Sequence, residues 1–494
     1  MLAAALAAVA GGRAYTGTST PPTSWLGLLA PAGYRPGGQW IFGLLLFLGI
    51  AGLAAAWLWA LAVHRRGALT ERQVWRIGAA WCLPLAVGPP LVSKDVYSYA
   101  AQGILERNGF DVYRTSVSVL SRIGGIDSRA LEAVDPRWRH ALSPYGPLAT
   151  AIERAAAALT AGNPVGIVIV LRVLAVLSLV VVARMAAELA APHRATGLVV
   201  ILLNPLVLVH AVSGVHFEAP MCALLLAGLV AAKRGRWRWA IVLICAAGAI
   251  KPPLLAVLPA LFVMHAASRS IRGGAPGRLR PVLIDVLTAA AAFGALTLLV
   301  PDGLGWIRNL ATTAGGDPTS SLTGTLGALI KSVLPETAHT YVDAATKLAG
   351  IIAAVGVVAF VSVTARRRPL PATAGYALLA VALLAPISYP WYVLWGAVCL
   401  LPIARSTTLD CLVALCIFES VSSVPGAPGV LTGTLKIIVL AAAIGVVSVR
   451  FRNRARDARG TARSAPRSQV VETGGRYGPH RPTARARNST PNKK

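Results

Sequence analysis

Long apolar stretches alternate with short polar ones along almost the whole chain. Apolar runs of about 14 to 28 residues lie near positions 40–63, 77–93, 163–190, 197–214, 219–232, 281–300, 345–364, 371–386, 390–404, 409–424 and 430–449, with two shorter runs around an IKPPLL turn. Each long run can cross a hydrocarbon core of roughly 30 Å as a helix. The alternating ten-residue strands of a membrane barrel are absent, and an unpaired strand has no place in lipid. The pattern predicts an all-α polytopic membrane protein with about 11 to 13 transmembrane helices.

Composition agrees. Of 494 residues, 55% are hydrophobic and 13% charged, against roughly 25% charged in soluble domains. The net charge of +28 sits in clusters between apolar runs: HRRGALTERQVWR, KRGRWR, SRSIRGGAPGRLR, ARRR and a tail beginning RFRNRARDAR. By the positive-inside rule these are cytoplasmic loops of a multi-pass plasma-membrane protein. No motif supports nucleic-acid binding. The six cysteines lie inside apolar runs without metal-ligand spacing and read as small buried hydrophobes.

Walking from cluster to cluster divides the chain into four parts. Residues 1–93 carry the N-terminal transmembrane helices, the first of which reads as truncated. Residues 94–147 form a long external loop, 148–449 form the remaining bundle with a second external loop near 301–341, and 450–494 form a disordered basic cytoplasmic tail. The external segments hold the acids, histidines and tyrosines, so any chemistry is expected outside. A transporter would place polar groups near the bilayer midplane and show matched internal repeats; no such repeat is visible.

The first external segment opens with SKDVYSYAAQG (93–103). Continued as a helix, Asp95, Ser98, Tyr99 and Gln102 fall at i, i+3, i+4 and i+7 on one face. That face suits the hydroxyls of a sugar; it equally suits an interfacial anchor with tyrosines at headgroup level. NGFDVYR (108–114) and SPYGPLATAIERA (143–155) follow in the same segment. Asp111, Asp127 and Asp135 share it without forming a metal-ligand cluster.

SKDVYSYAAQG, GFDVY and SPYGPL, in this order and separation, resemble the first external loop of the actinobacterial polyprenol-phosphomannose-dependent α-1,6-mannosyltransferases (MptA/MptB type) of the GT-C superfamily. The resemblance covers roughly residues 40–450 and includes GVHFEAPMCALLLAGL, AIKPPLLAVLPAL and PISYPWYVLW. Phe217 stands where the family tends to have a polar residue between histidine and acid.

The resemblance implies a GT-C-type helical bundle. It implies transfer of mannose from polyprenyl-phosphate-mannose to a lipid-linked mannan acceptor at the outer membrane face, with inversion. The resulting α-1,6 bond belongs to the lipomannan and lipoarabinomannan backbone. Asp95 matches the family's catalytic base; no cofactor and no metal is expected. An ionisable residue within or beside a span is a functional candidate by default, so Lys94, Arg172 and Lys251 are candidate ligands of the donor phosphate; the structural alternatives are a solvated surface charge for Lys94, snorkelling or a structural pairing for Arg172, and a helix-end anchor for Lys251. Tyr99, Gln102, Tyr145, His216, Glu218, Tyr389 and Trp391 are candidates for sugar and acceptor binding, and Tyr392 and Trp395 extend the aromatic wall. Two other readings stay open: a GT-C transferase using polyprenyl-phosphate arabinose or glucose, and a flippase of lipid-linked sugar.

Overall fold

The computed structural model describes residues 1–14, 39–271, 279–313 and 321–424. Among them all regular structure is helical, because a helix satisfies its own backbone polar groups where water is scarce. The expected run at 430–449 and the tail at 450–494 lie outside the described residues.

α1 (Leu2–Ala14) packs on α2 (Gln39–Arg65), whose 27 residues extend about 40 Å at 1.5 Å per residue. α3 (Glu71–Val87) begins on a capping box formed by Thr70 and Gln73. α4 (Asp95–Arg107), α5 (Arg129–Glu132) and α6 (Pro147–Leu159) follow. α7 (Pro164–Leu189) starts with proline at its first position, and Asn163 accepts a cap bond from the Gly166 N–H at 3.0 Å. α8 (Arg194–Leu202), α9 (Glu218–Lys233), α10 (Trp237–Gly248), α11 (Leu258–Ile271) and α12 (Leu279–Thr297) continue the bundle. α13 (Trp306–Thr313), α14 (Leu322–Lys331), α15 (His339–Val363), α16 (Leu370–Leu384), α17 (Leu394–Leu400) and α18 (Ser406–Ser422) complete it.

Among the described residues, four stretches, Ile41–Arg65, Pro164–Leu189, Arg280–Thr297 and Glu336–Val363, are long and apolar enough to cross a membrane unbroken. Several other expected runs are interrupted at proline. The run at 197–214 divides into α8 and a π-helical segment, Val207–Ser213, at 68° to it. Pro205 supplies no N–H at the break, and Asn204 bridges it, accepting from the Leu206 N–H at 3.0 Å. Pro252 and Pro253 impose a 3₁₀ turn between α10 and α11, and Pro390 imposes another before α17. These breaks place backbone corners, with their side chains, inside the bundle.

The segment expected as an external loop begins with a helix that is buried in the bundle. α4 packs against α6 and α7, and its positions from Val96 to Glu106 are all buried. Val96, Ala100, Ala101, Ile104 and Leu105 give it an apolar surface for those partners. Gly103 permits the contact with α6, since a Cβ there would lie 2.3 Å from the Glu153 carbonyl oxygen.

Among the described residues, basic side chains of the α7–α8 and α9–α10 connections meet the start of α3 at one end of the bundle. Arg194 pairs with Glu71 at 3.4 Å and Glu188 at 3.2 Å, Arg234 with Glu188 at 3.4 Å, and Lys233 donates to the Glu188 carbonyl at 2.7 Å. α3 leaves this end at Glu71 and α9 arrives there at Lys233. The segment that directly follows α3, with Asp95, and the start of α9, with Glu218 and the adjoining His216, therefore lie toward the opposite end.

Candidate active site

A cavity of about 580 Å³ opens among α4, the SPYGP turn, the KPP turn and the corner before α17, within the usual size of a small-molecule site. Its floor is the start of α4. The Asp95 N–H is held by Ser93 Oγ at 3.1 Å, and the carboxylate occupies the first helical turn, where the helix dipole favours negative charge. Asp95, Ser98, Tyr99 and Gln102 all line the cavity. This is the face that helical spacing alone groups together.

The turn at 143–147 enters the cavity because it is fastened from two sides. The Gly146 N–H donates to the Ile250 carbonyl at 3.0 Å, and the Leu148 N–H to the Ala249 carbonyl at 2.9 Å. Gly146 has no room for a side chain, since a Cβ would lie 2.3 Å from Ala249 O. Asn309 donates to the Ser143 carbonyl at 3.0 Å, and Ser143 Oγ donates to Gln102 Oε1 at 3.0 Å. Tyr145 is thereby delivered to Tyr99, hydroxyl to hydroxyl at 3.1 Å with the rings edge to face. Phe217 packs on both rings, at 4.4 Å and 5.8 Å between centroids. Its departure from a polar residue thus has a packing reason.

Lys251 reaches the cavity from the KPP turn. Its ammonium bonds Glu218 Oε1 at 2.5 Å and stands 5.4 Å from the Tyr145 ring, 4.9 Å from Tyr392 and 5.9 Å from Trp395. Trp395 Nε1 donates to the same Glu218 oxygen at 3.2 Å. An ion pair this buried persists only when hydrogen bonds and ring faces replace the lost water. Tyr389 and Trp391 form the opposite wall, with planes 1° apart and centroids at 4.8 Å.

The structure separates three residues from the cavity surface. His216 is 1% exposed and stands behind Asp95, Nδ1 to Oδ2 at 3.4 Å, with its ring stacked on Trp391 at 4.0 Å. Glu218 is also buried behind the wall and acts on Lys251. Arg172 is the largest departure from expectation: its guanidinium donates to the carbonyls of Ala86, Gly88 and Ser213 and does not line the cavity. Those carbonyls end α3 and the π-helical segment, so the arginine satisfies the broken backbone.

Sequence reasoning passed over other residues. Arg137, held by Asp135 at 2.9 Å, lines the cavity beside Lys94. Ser423 lines it too, and its hydroxyl bonds His210 Nε2 at 2.8 Å. No local signal marks these residues; they become visible only when distant segments meet.

The backbone is strained where this site is built. Val92 (φ 57°) and Val215 (φ 54°) are β-branched residues in the left-handed region, a conformation costing on the order of 1–3 kcal/mol each. Val92 lies three residues before Asp95 and Val215 immediately before His216.

Electrostatics favour an ionised Asp95. Burial pushes its carboxyl upward, but His216, Lys251 and the Ser93 hydroxyl together hold it below the ordinary range. Burial pushes the Lys94 ammonium down to about 8, with Asp135 partly opposing. Besides Asp135, which is engaged by Arg137, the cavity offers the Asp95 carboxylate to accept a proton, cations suited to a phosphate, and stacked rings suited to a sugar face.

Comparison with known proteins agrees with this chemistry. Residues 1–267 match the family model described as alpha-(1->6)-mannopyranosyltransferase, N-terminal domain, and residues 319–451 match the MptB C-terminal domain. The chain is 31% identical over 380 residues to alpha-(1->6)-mannopyranosyltransferase A of Mycobacterium tuberculosis, covering 74% of this chain and 71% of the relative. A second alpha-(1->6)-mannopyranosyltransferase of that organism is 28% identical over 393 residues, covering 66% and 64%. Alpha-(1->6)-mannopyranosyltransferase B of Corynebacterium glutamicum is 28% identical over 407 residues, covering 74% and 66%.

Proposed function

The chain belongs to the alpha-(1->6)-mannopyranosyltransferase family, and from that premise we propose that it transfers mannose from a polyprenyl-phosphate carrier to a lipid-linked mannan acceptor. The product is an α-1,6 bond of the lipomannan and lipoarabinomannan backbone. The observation that carries the reading is the cavity, in which Asp95, Lys94, Lys251 and the Tyr389–Trp391 stack share one surface. The positive-inside rule assigns the basic end of the bundle to the cytoplasm and the cavity to the outer face.

In the proposed step an acceptor hydroxyl oxygen attacks the anomeric carbon while Asp95 takes the hydroxyl proton. The bond from that carbon to the phosphate oxygen breaks, and its electron pair leaves with the phosphate. A β-linked donor then yields the α product by a single inverting displacement. The leaving phosphate is a stable anion, so it needs cations rather than a proton. Lys251 and Lys94 supply them, with Arg137 at the rim. Tyr99, Gln102 and Tyr145 offer hydrogen bonds to sugar hydroxyls, and Tyr389 and Trp391 offer a stacking face. His216 and Glu218 support the site from behind, and Arg172 holds the helix breaks rather than the phosphate.

The test uses membranes containing wild type or Asp95→Asn, supplied with polyprenyl-phosphate carrying radiolabelled mannose and an α-mannoside acceptor. Wild type should transfer label, and the variant should lose roughly 10²–10⁴ of the rate, the share a general base contributes. Full activity in a stably folded variant removes Asp95 as base. Transfer only from an arabinose or glucose carrier replaces the donor.

A further inference from the structure

We propose that His216 is a positioning residue for the Asp95 base, fixing the orientation and ionised state of the carboxylate from behind while Trp391 fixes the imidazole. The inference rests on the reading of Asp95 as the base. It assigns His216 a role other than the sugar contact expected from sequence.

Geometry excludes that sugar contact. His216 is 1% exposed and absent from the cavity surface, whereas Asp95 retains 20% of its side-chain surface and does line it. Nδ1 faces Oδ2 at 3.4 Å, which leaves the other carboxylate oxygen for a substrate proton. The ring has little freedom. One face stacks on Trp391 at 4.0 Å and 24°, and His210 stands 5.6 Å away. A Cβ on Gly214 would lie 2.8 Å from His216 Cδ2, so glycine alone leaves the ring its place. The strained φ of Val215 is held by this packing, as strain at functional sites generally is.

The charges around the pair are few. Lys251 from the KPP turn and Arg137 from the 135–139 segment face Asp95, and Tyr99 and Tyr145 lie beside it. Glu218 is engaged by Lys251. His216 faces Asp95 on one side and His210 on another. Of the side chains that hold the Asp95 carboxyl low, Lys251 and Ser93 line the cavity and His216 does not.

The experiment compares wild-type full-length protein in detergent with His216→Phe, which keeps a ring against Trp391 but has no nitrogen, and His216→Asn, whose amide nitrogen takes the place of Nδ1. Two readouts are taken across pH: kcat and KM for mannosyl transfer, and carbodiimide labelling of Asp95 followed by peptide mass spectrometry. Carbodiimide reacts with protonated carboxyl groups and needs no substrate. In His216→Phe the labelling curve and the acid limb of kcat should both move to higher pH. Its kcat should fall by roughly ten- to a hundredfold, part of what a general base contributes, with KM within about twofold. His216→Asn should recover most of both. A labelling curve in His216→Phe that matches wild type, or an asparagine variant no better than phenylalanine, overturns the proposal. Wild type that transfers mannose from no carrier overturns the functional reading instead, and the labelling series still decides the role of His216.

Discussion

Lys251 and Glu218 should be unequal partners. Their side chains are 9% and 0% exposed, and removing one member of a buried pair generally destabilises by about 3–5 kcal/mol, because the other charge is left in a poor solvent. The residual environments differ. Lys251→Met strands a carboxylate whose remaining bond is that from Trp395 Nε1 at 3.2 Å, so a cost of about 4 kcal/mol is expected. Glu218→Gln leaves an ammonium among the rings of Tyr145, Tyr392 and Trp395 at 4.9–5.9 Å. The rings offset about 2 kcal/mol when desolvated, and the amide oxygen still accepts from both neighbours, so the cost should be about 2 kcal/mol. The double variant buries no charge at this point and should cost about 3 kcal/mol, which makes the single costs non-additive by about 3 kcal/mol. Reversible unfolding of the detergent-solubilised protein, followed by tryptophan fluorescence, measures all three. Equal costs for the singles would refute the aromatic contribution, and additivity within about 0.5 kcal/mol would refute the pairing.

Further predictions concern the other two cations. Lys94, with its ammonium near 8, is charged at pH 7 and loses its charge as pH rises through that value; KM for the polyprenyl-phosphate donor should therefore rise between pH 7 and 9. Lys94→Arg should abolish the rise, since a guanidinium stays protonated, and initial rates across that range check it. Arg172→Met should lower stability by about 2–4 kcal/mol by orphaning buried carbonyls while leaving donor KM unchanged. A raised KM without loss of stability would return Arg172 to the phosphate.

Much of the site was readable locally because it is helical. One carboxylate, two hydroxyls and an amide at spacings of three and four share a face whatever the helix packs against, and Asp95, Ser98, Tyr99 and Gln102 do line one cavity. Residues at a distance were harder. Lys251 and Arg172 look alike in sequence, each a lone cation among apolar residues, yet one enters the cavity and the other is spent on three carbonyls. His216 and Glu218 read as sugar-contacting groups, and the fold buries both behind the cavity surface. Which carbonyls lack donors depends on where helices break and what crosses them, and no window of sequence contains that.

Hydrophobic periodicity and the clustering of arginines sufficed for an all-α membrane bundle, since apolar length and backbone self-satisfaction leave no other solution in lipid. The motifs SKDVYSYAAQG, GFDVY and SPYGPL sufficed for the family. Tertiary structure alone decided that α4 is packed against α6 and α7, that Phe217 packs on two tyrosines, and that His216 stands behind Asp95. Each depends on contacts between segments more than a hundred residues apart or on a crossing that only glycine allows. Local pattern determines which face a side chain occupies; the packing of distant helices determines what that face meets.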